Sequence, residues 1–247
     1  MRREVVYGPL AVLVAWQLAS SSGFVNVFFV PPPLAVAREL WRLLVTGRVL
    51  ADVWVSLLRV LAGFALAALA GIPIGLAMGA SRRVCDSLEF LVDFLRSIPG
   101  TALIPLFILL FGVGDEAKVA IGAFAAGLVI SINAMYGVAQ GSRTRRMAAR
   151  TMRVPLLRRF VQVVLPDALP HVFVGLRLGL STCVVLVIVS EMFLGSQAGL
   201  GHRIYESQLL YKVEEMYSCI ILTGVFGYAL NRVAVSAERR IVHWSGR

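Results

Sequence analysis

The chain has 247 residues, of which 58% are hydrophobic and only 15% are charged, and its mean hydropathy is +0.81. A soluble domain carries charge on about a quarter of its residues, so this composition excludes an ordinary soluble domain and predicts an integral membrane protein. The net charge of +10 does not indicate nucleic-acid binding, because no soluble basic surface is available for it.

Long runs with few or no charged residues mark the predicted membrane spans. In lipid, helices satisfy every backbone polar group within their own segment, so we expect an all-α integral membrane protein. Each run is long enough to cross about 30 Å of hydrocarbon. Together they predict six transmembrane helices in a single membrane domain, residues 1–247. The runs lie at 5–37, 60–81, 97–114 and 119–142, and at about 172–194 and 216–237.

A short amphipathic helix is predicted at residues 34–45, between the first two spans. Three prolines, Pro31 to Pro33, end the preceding helix, and apolar residues then recur at helical spacing. Charged side chains lie between them, which is typical of a helix at the membrane surface. Trp41 and Trp54 fit anchoring at the headgroup level.

The predicted third span is interrupted by Pro99, Gly100, Pro105 and Gly112. Proline removes a backbone donor and glycine weakens a helix. Irregular backbone at membrane depth is tolerated only away from lipid. The interruption therefore either lines a cavity or is a kink that shapes helix packing.

Basic residues predict the orientation, because arginine-rich loops stay on the cytoplasmic side. With both termini in the cytoplasm, fourteen basic residues fall on the inner side and six on the outer side. Residues 1–23 also permit a cleaved signal peptide as an alternative. The largest inner group is the loop at about residues 141–170, which holds Arg143, Arg145, Arg146, Arg150, Arg153, Arg158 and Arg159.

Charged and polar residues within the spans are the candidates for a solute pathway. A charge at membrane depth costs about 2.5–3.5 kcal/mol on insertion scales and needs a partner or water. An Arg59–Glu191 pair is one way to neutralise both side chains, and a positive field in the pathway is the other role considered for Arg59 or Arg96. The candidates are Arg59, Arg96, Ser97, Thr101, Ser131, Asn133 and Glu191.

Motifs in order along nearly the whole chain carry a resemblance to one family. They include the proline run, the sequence LLRVLAGF at residues 57–64, RSIP at 96–99, LIPL at 103–106, FGVG at 111–114 and GLG at 199–201. The chain resembles the membrane-spanning permease subunits of ATP-binding-cassette importers, in the branch that handles nitrate, sulfonates, taurine and bicarbonate. The resemblance implies the type I ABC importer (MetI-like) permease fold.

The 141–170 loop carries most of that family's cytoplasmic signature, E-A-A, three residues, G, nine residues, I-x-L-P. Ala148, Ala149, Leu165 and Pro166 occupy matching positions. Met147 stands at the glutamate position, and Arg153 stands at the glycine position, where a residue without a side chain tolerates positive φ. Either Pro155 starts the next helix and fixes the turn differently, or this subunit couples weakly and a second permease carries the stronger signature.

The resemblance implies that this loop couples the chain to an ATPase, with apolar residues docking and arginines pairing with acidic residues on the partner. The alternative is a basic loop that only binds anionic lipid. The expected coupling residues are Ala148, Ala149, Arg150, Arg153, Val154, Leu156, Leu157, Arg158, Arg159, Phe160, Leu165 and Pro166.

The same resemblance implies partners and excludes a catalytic role. We expect two cytoplasmic ATP-binding subunits, a second permease copy or homologue, and a periplasmic or lipid-anchored solute-binding protein, in the bacterial inner membrane. ATP and magnesium would be bound by the partners, because the chain has no glycine-rich phosphate loop of the P-loop type. The alternative function is a secondary transporter or channel, for which an internal inverted repeat would be expected.

Overall fold

The computed structural model describes residues 4–23 and 25–242, and its secondary structure consists of helices joined by short turns. Arg2, Arg3 and Arg247, which entered the prediction of orientation, lie outside these residues. The α-helices are α1 (Glu4–Ser21), α2 (Pro33–Val45), α3 (Leu50–Ala80), α4 (Arg82–Ser97), α5 (Ile104–Phe111), α6 (Asp115–Ala139), α7 (Arg143–Thr151), α8 (Leu156–Arg159), α9 (Leu165–Phe193), α10 (Leu200–Leu209) and α11 (Val213–Ile241).

Glycines bring α3 and α6 into close parallel contact. A Cβ atom on Gly63 would lie 3.0 Å from the Val119 carbonyl oxygen, and one on Gly71 would lie 2.7 Å from the Gly127 carbonyl oxygen. In both pairs the α6 residue comes 56 positions after the α3 residue. Later residues of α3 therefore contact later residues of α6, and the two helices run in the same direction. Only residues without side chains permit this separation, as is common where helices pack inside membranes.

Helix α9 packs antiparallel against α6 and completes the core. A Cβ on Gly137 would meet the Ala168 carbonyl oxygen at 2.8 Å, and one on Gly179 would meet the Ala126 carbonyl oxygen at 3.2 Å. The contacts therefore move in opposite directions along the two helices. Buried side chains from α3, α6, α9, α10 and α11 fill the space around this three-helix core.

The interruption predicted in the third span, residues 97–114, is present. Helix α4 ends at Ser97, and after Pro99 a 3₁₀ turn at Gly100–Leu103 leads into the eight-residue α5. The axes of the two parts differ by 92°. Pro105 lies in the first turn of α5, where proline is tolerated, so the prolines mark helix starts. Because α3 and α6 are parallel, this bent pair must carry the chain from one end of the bundle back to the other.

Four helices of the described chain are long and apolar enough to cross a membrane, and the bent pair makes a fifth. They are α3, α6, the segment Leu156–Phe193, and α11. Helix α1 is not among them, although its 18 residues would extend about 27 Å. The predicted count of six therefore stays a prediction, with α1 as the remaining candidate.

The predicted surface helix is present as α2, Pro33–Val45. Its buried Val36 and Leu43 face the bundle, while Trp41 is 70% exposed. The Ser218 hydroxyl of α11 donates a hydrogen bond of 3.0 Å to the Val36 carbonyl oxygen, which fixes α2 to α11. We call this end of the bundle the acidic end, because Asp52, Asp115, Glu191 and Glu215 lie there, and we call the opposite end the arginine end.

Candidate functional site

The arginine end carries a compact helical segment, residues 141–164, that we call the arginine segment. The Ser142 hydroxyl begins α7 by accepting a 3.3 Å hydrogen bond from the Arg145 backbone N–H, as an N-cap serine does. Pro155 precedes α8 as its N-cap residue, one position before the first turn in which the sequence placed it. A single π-helical turn, Phe160–Val164, joins α8 to α9.

Arg153 adopts the left-handed conformation that its sequence position predicts for glycine, with φ of 53°. The Val154 N–H donates to the Ala149 carbonyl oxygen at 3.1 Å, and the Arg153 N–H donates to the Arg150 carbonyl oxygen at 2.9 Å. This pair of bonds is the Schellman motif that ends many helices, usually with glycine at the left-handed position. The turn therefore keeps its shape with arginine in the glycine position.

Asp167 fastens the arginine segment to the bundle. Its carboxylate accepts hydrogen bonds from the Ser142 N–H at 3.2 Å and from the Arg145 guanidinium, whose Nη2 lies 2.7 Å from Oδ1. Arg146 donates to the carbonyl oxygens of Val138 and Gly141 at 2.6 and 2.7 Å. These carbonyls lie at the end of α6, where cationic donors satisfy groups that the helix leaves unpaired.

An apolar surface with a basic margin remains open on the arginine segment. Met152, Leu156 and Leu157 are 78%, 75% and 77% exposed. Around them, Ala148, Arg150, Arg153 and Arg158 are also exposed, whereas Val154, Arg159, Phe160, Leu165 and Pro166 are partly buried and Ala149 is buried. No ion pair within residues 4–23 and 25–242 involves Arg143, Arg150, Arg153, Arg158 or Arg159.

A groove of about 420 Å³ runs beside this surface, between the arginine segment and the ends of α3 and α6. Its lining includes Ala80, Val138, Arg150, Leu157 and Phe160. Contiguous exposed apolar side chains with a polar margin are typical of a surface that binds another protein. The arrangement can therefore receive an apolar partner whose margin is acidic.

The acidic end contains a buried charge cluster centred on Glu191, and the predicted Arg59–Glu191 pair is confirmed. Arg59 Nη1 lies 2.8 Å from Glu191 Oε1, and both side chains are buried. The Ser56 hydroxyl lies 2.8 Å from both carboxylate oxygens, and the Gly201 N–H donates to Oε2 at 2.9 Å. Arg59 also binds Asp115 at 2.7 Å. The partners match the rule that buried charges are paired and hydrogen-bonded.

Gly199 lets the loop at residues 194–199 lie directly on this carboxylate. A Cβ there would be 2.6–2.7 Å from the three carboxyl atoms of Glu191, and its φ of 129° is unfavourable for other residues. The Arg59 Nη1 also donates to the Ala198 carbonyl oxygen at 2.9 Å. The loop is therefore held by one charged pair that lies beneath it.

A second ion-pair group links α3, α10 and α11 beside the first. Arg203 binds the Asp52 carboxylate at 2.5 Å and the Glu215 carboxylate at 2.9 Å. Burial works to lower the pKa of the Arg203 guanidinium, but the hydrogen bonds and charges of Asp52 and then Glu215 outweigh it and raise that pKa. Asp52 also accepts the Gly199 N–H at 2.9 Å, which connects the two groups.

Sequence reasoning missed three members of these groups. Asp52 and Ser56 were not singled out, although with Arg59 they recur at spacings of four and three, which puts them on one helical face. Lys118 was one of the six basic residues assigned to the outer side, yet it is buried, and its ammonium group lies 3.8 Å from the Asp115 carboxylate and donates to the Val113 and Gly114 carbonyl oxygens at 3.2 Å each.

The remaining pathway candidates fall into two sets. Ser131 is buried and Asn133 partly buried, and both lie in the contacts of α6 with its neighbouring helices, against Gly75 and Gly175. Arg96, Ser97 and Thr101 are exposed at the bend between α4 and α5. Arg96 pairs with Asp93 one turn earlier at 2.8 Å.

Comparison with protein families gives one match that covers most of the chain. The family model described as "Binding-protein-dependent transport system inner membrane component" matches residues 71–243. The matched region includes α6, the arginine segment, α9 and α11, and it begins within α3.

Several curated proteins are similar over nearly their full lengths. A probable ABC transporter permease protein of Brucella abortus (strain 2308) is 33% identical over 94% of this chain and 91% of its own length. The putative aliphatic sulfonates transport permease protein SsuC of Escherichia coli (strain K12) is 30% identical over 96% of this chain and 90% of its own length. The bicarbonate transport system permease protein CmpB of Synechococcus elongatus is 30% identical over 95% of this chain and 87% of its own length.

The fold is also similar to a solved transporter. A chain of the inward-facing MetNI methionine ABC transporter aligns with a TM-score of 0.67, covering 79% of this chain and 95% of that chain. At 21% sequence identity, this alignment shows a shared fold and nothing further. The type I importer permease fold expected from the sequence is confirmed.

Proposed function

Because the chain belongs to the family of binding-protein-dependent transport system inner membrane components, we propose that its arginine segment is the part that receives an ATP-binding subunit. The chain itself is a non-catalytic, multi-pass permease subunit of an ABC transporter. The single observation that carries the proposal is the set of exposed Met152, Leu156 and Leu157 beside arginines that have no ion pair within residues 4–23 and 25–242.

The segment is suited to transmitting movement because it is fixed at its base and open at its tip. Asp167 and Arg146 attach α7 to α6 and α9, and the π turn continues α8 into α9. A force applied at Leu157 therefore acts on two spanning helices through short, defined contacts. Hydrolysis of ATP with magnesium belongs to the partner, and two such subunits would serve a pair of permeases.

The arginine end is then the cytoplasmic end, and both termini lie on that side of a bacterial inner membrane. The excess of basic residues there supports this orientation. The acidic end, with α2 and α10, faces a periplasmic or lipid-anchored solute-binding protein.

The solute is proposed to be a small anion. Relatives are named for aliphatic sulfonates, taurine and bicarbonate, which are small solutes that carry a negatively charged group. A second permease copy or homologue would complete the pathway, with Arg96, Ser97 and Thr101 as lining candidates because they are exposed at the α4–α5 bend. Arg59 and Glu191 are better suited to holding the loop at residues 194–199, since both side chains are buried and each is ion-paired with the other.

Charge reversal tests the docking proposal directly. We expect Arg158→Glu with Arg159→Glu to abolish co-purification of the ATP-binding subunit, because a basic margin becomes acidic. The matched control is Arg82→Glu with Arg83→Glu, which reverses two exposed charges at the same end but outside the segment. Equal retention of the ATPase by both double variants would refute the assignment. A chain that moves solute without any ATPase would instead support the alternative, a secondary transporter.

A further inference from the structure

The last turns of α11 carry a second basic surface, separate from the arginine segment. Arg232, Ser236 and Arg240 follow one another at a spacing of four and so lie on one helical face, with Arg239 beside them. All three arginines are exposed. Within the described chain no carboxylate lies in ion-pair distance of any of them.

The acidic residue nearest in sequence is already engaged elsewhere. Glu238 is partly buried and lies 3.6 Å from the Arg177 guanidinium of α9. It therefore faces the bundle, while the arginines face away from it. Between Arg232 and Arg240 the surface forms a groove of about 470 Å³ whose other lining residues are Val233, Ser236, Ala237 and Ile241.

The length of α11 places this groove at the edge of the bilayer. Glu215 is fixed at the acidic end by its ion pair with Arg203. At 1.5 Å per residue, Arg232 lies about 26 Å and Arg240 about 38 Å further along the axis. A hydrocarbon core of about 30 Å ends between these two positions, where the lipid phosphates begin.

We propose that this face of α11 binds the phosphate of an anionic phospholipid. Arg232 reaches it from the hydrocarbon side, as long cationic side chains do near helix ends, and Arg240 and Arg239 reach it from the aqueous side. The apolar floor of Val233, Ala237 and Ile241 contacts the start of an acyl chain. The inference rests on the membrane placement of α11 and does not depend on the arginine segment.

Lipid titration of the full chain, purified with its partners in detergent, tests the site. Native mass spectrometry would count phosphatidylglycerol bound against phosphatidylcholine. We expect Arg232→Gln with Arg240→Gln to weaken phosphatidylglycerol binding roughly thirtyfold. Each arginine near the lipid surface contributes about 1 kcal/mol of binding free energy, and about 1.4 kcal/mol corresponds to a tenfold change in affinity. The single variant Arg240→Gln, which changes only an arginine on the aqueous side, should weaken phosphatidylglycerol binding about fivefold.

The control is Arg38→Gln with Arg48→Gln, which removes two exposed arginines at the acidic end. It should retain wild-type affinity for phosphatidylglycerol. Equal losses in both double variants, or no preference for phosphatidylglycerol in the wild type, would overturn the proposal. Displacement of the lipid by inorganic phosphate at equal concentration would also overturn the proposal. A third contrary result is an Arg232→Gln, Arg240→Gln variant that loses the ATP-binding subunit while its lipid binding is unchanged. Co-purification of the ATPase with that variant is expected to be normal.

Discussion

Arg153→Gly should stabilise the protein, whereas the same substitution three residues earlier should destabilise it. Arg153 has φ of 53°, and a residue with a Cβ loses about 1–2 kcal/mol in the left-handed region. Glycine removes that penalty, but it also increases the conformational freedom of the unfolded chain, which cancels about 0.4–1 kcal/mol of the gain in stability. The expected net gain is about 1 kcal/mol, or a rise in unfolding temperature of about 2–4 °C for a chain of this size.

Arg150→Gly is the matched control, because it removes the same charged side chain from the right-handed last turn of α7. Glycine costs about 1 kcal/mol in a helix interior, so the unfolding temperature should fall. Thermal unfolding of the purified variants in detergent, followed by intrinsic fluorescence, separates the two outcomes. An Arg153→Gly protein that unfolds at or below the temperature of Arg150→Gly would refute the strained-turn reasoning. Loss of the ATP-binding subunit from Arg153→Gly would show that the arginine side chain itself contacts the partner.

Three further changes test the packing and the charged groups. Glu191→Ala should lower the free energy of unfolding by about 3–5 kcal/mol because it leaves a buried guanidinium underpaired. Asp115→Ala changes a side chain that is 64% exposed and should lower it by about 1 kcal/mol or less. Equal falls in unfolding temperature for the two variants would contradict this. Gly75→Ala should prevent normal folding, because the new methyl group overlaps the backbone of α6, while Gly224→Ala meets nothing within 4 Å and should express normally. Asp167→Ala should speed tryptic cleavage within α7, and an unchanged rate would show that the carboxylate does not hold the segment.

Local patterns predicted the features that depend on neighbouring residues. The amphipathic spacing gave α2 within one residue of its bounds, because one face of that helix is buried against α11. The Arg59–Glu191 pair followed from the cost of a single buried charge. The turn at position 153 stayed open between the shape of the family glycine and a different turn fixed by Pro155; the structure has positive φ there, closed by two Schellman hydrogen bonds.

Features that depend on distant contacts escaped sequence reasoning. The prolines and glycines of the third span predicted an interruption but not its angle of 92°, because the direction of α5 depends on the packing of Ile104 against α6 and α9. Lys118 looked like a loop residue, but backbone carbonyls in the preceding turn supply its partners. The ion pair of Asp52 depends on α10, which places Arg203 beside it although the two residues are far apart in the sequence.

Photocrosslinking from two positions tests the central claim most directly. A photoreactive amino acid at Leu157, on the exposed arginine segment, should form a covalent product with the ATP-binding subunit in native membranes. The same residue at Trp41, exposed at the opposite end, should not. A crosslink to the ATPase from position 41, or its absence from position 157 in an assembled complex, would contradict the account.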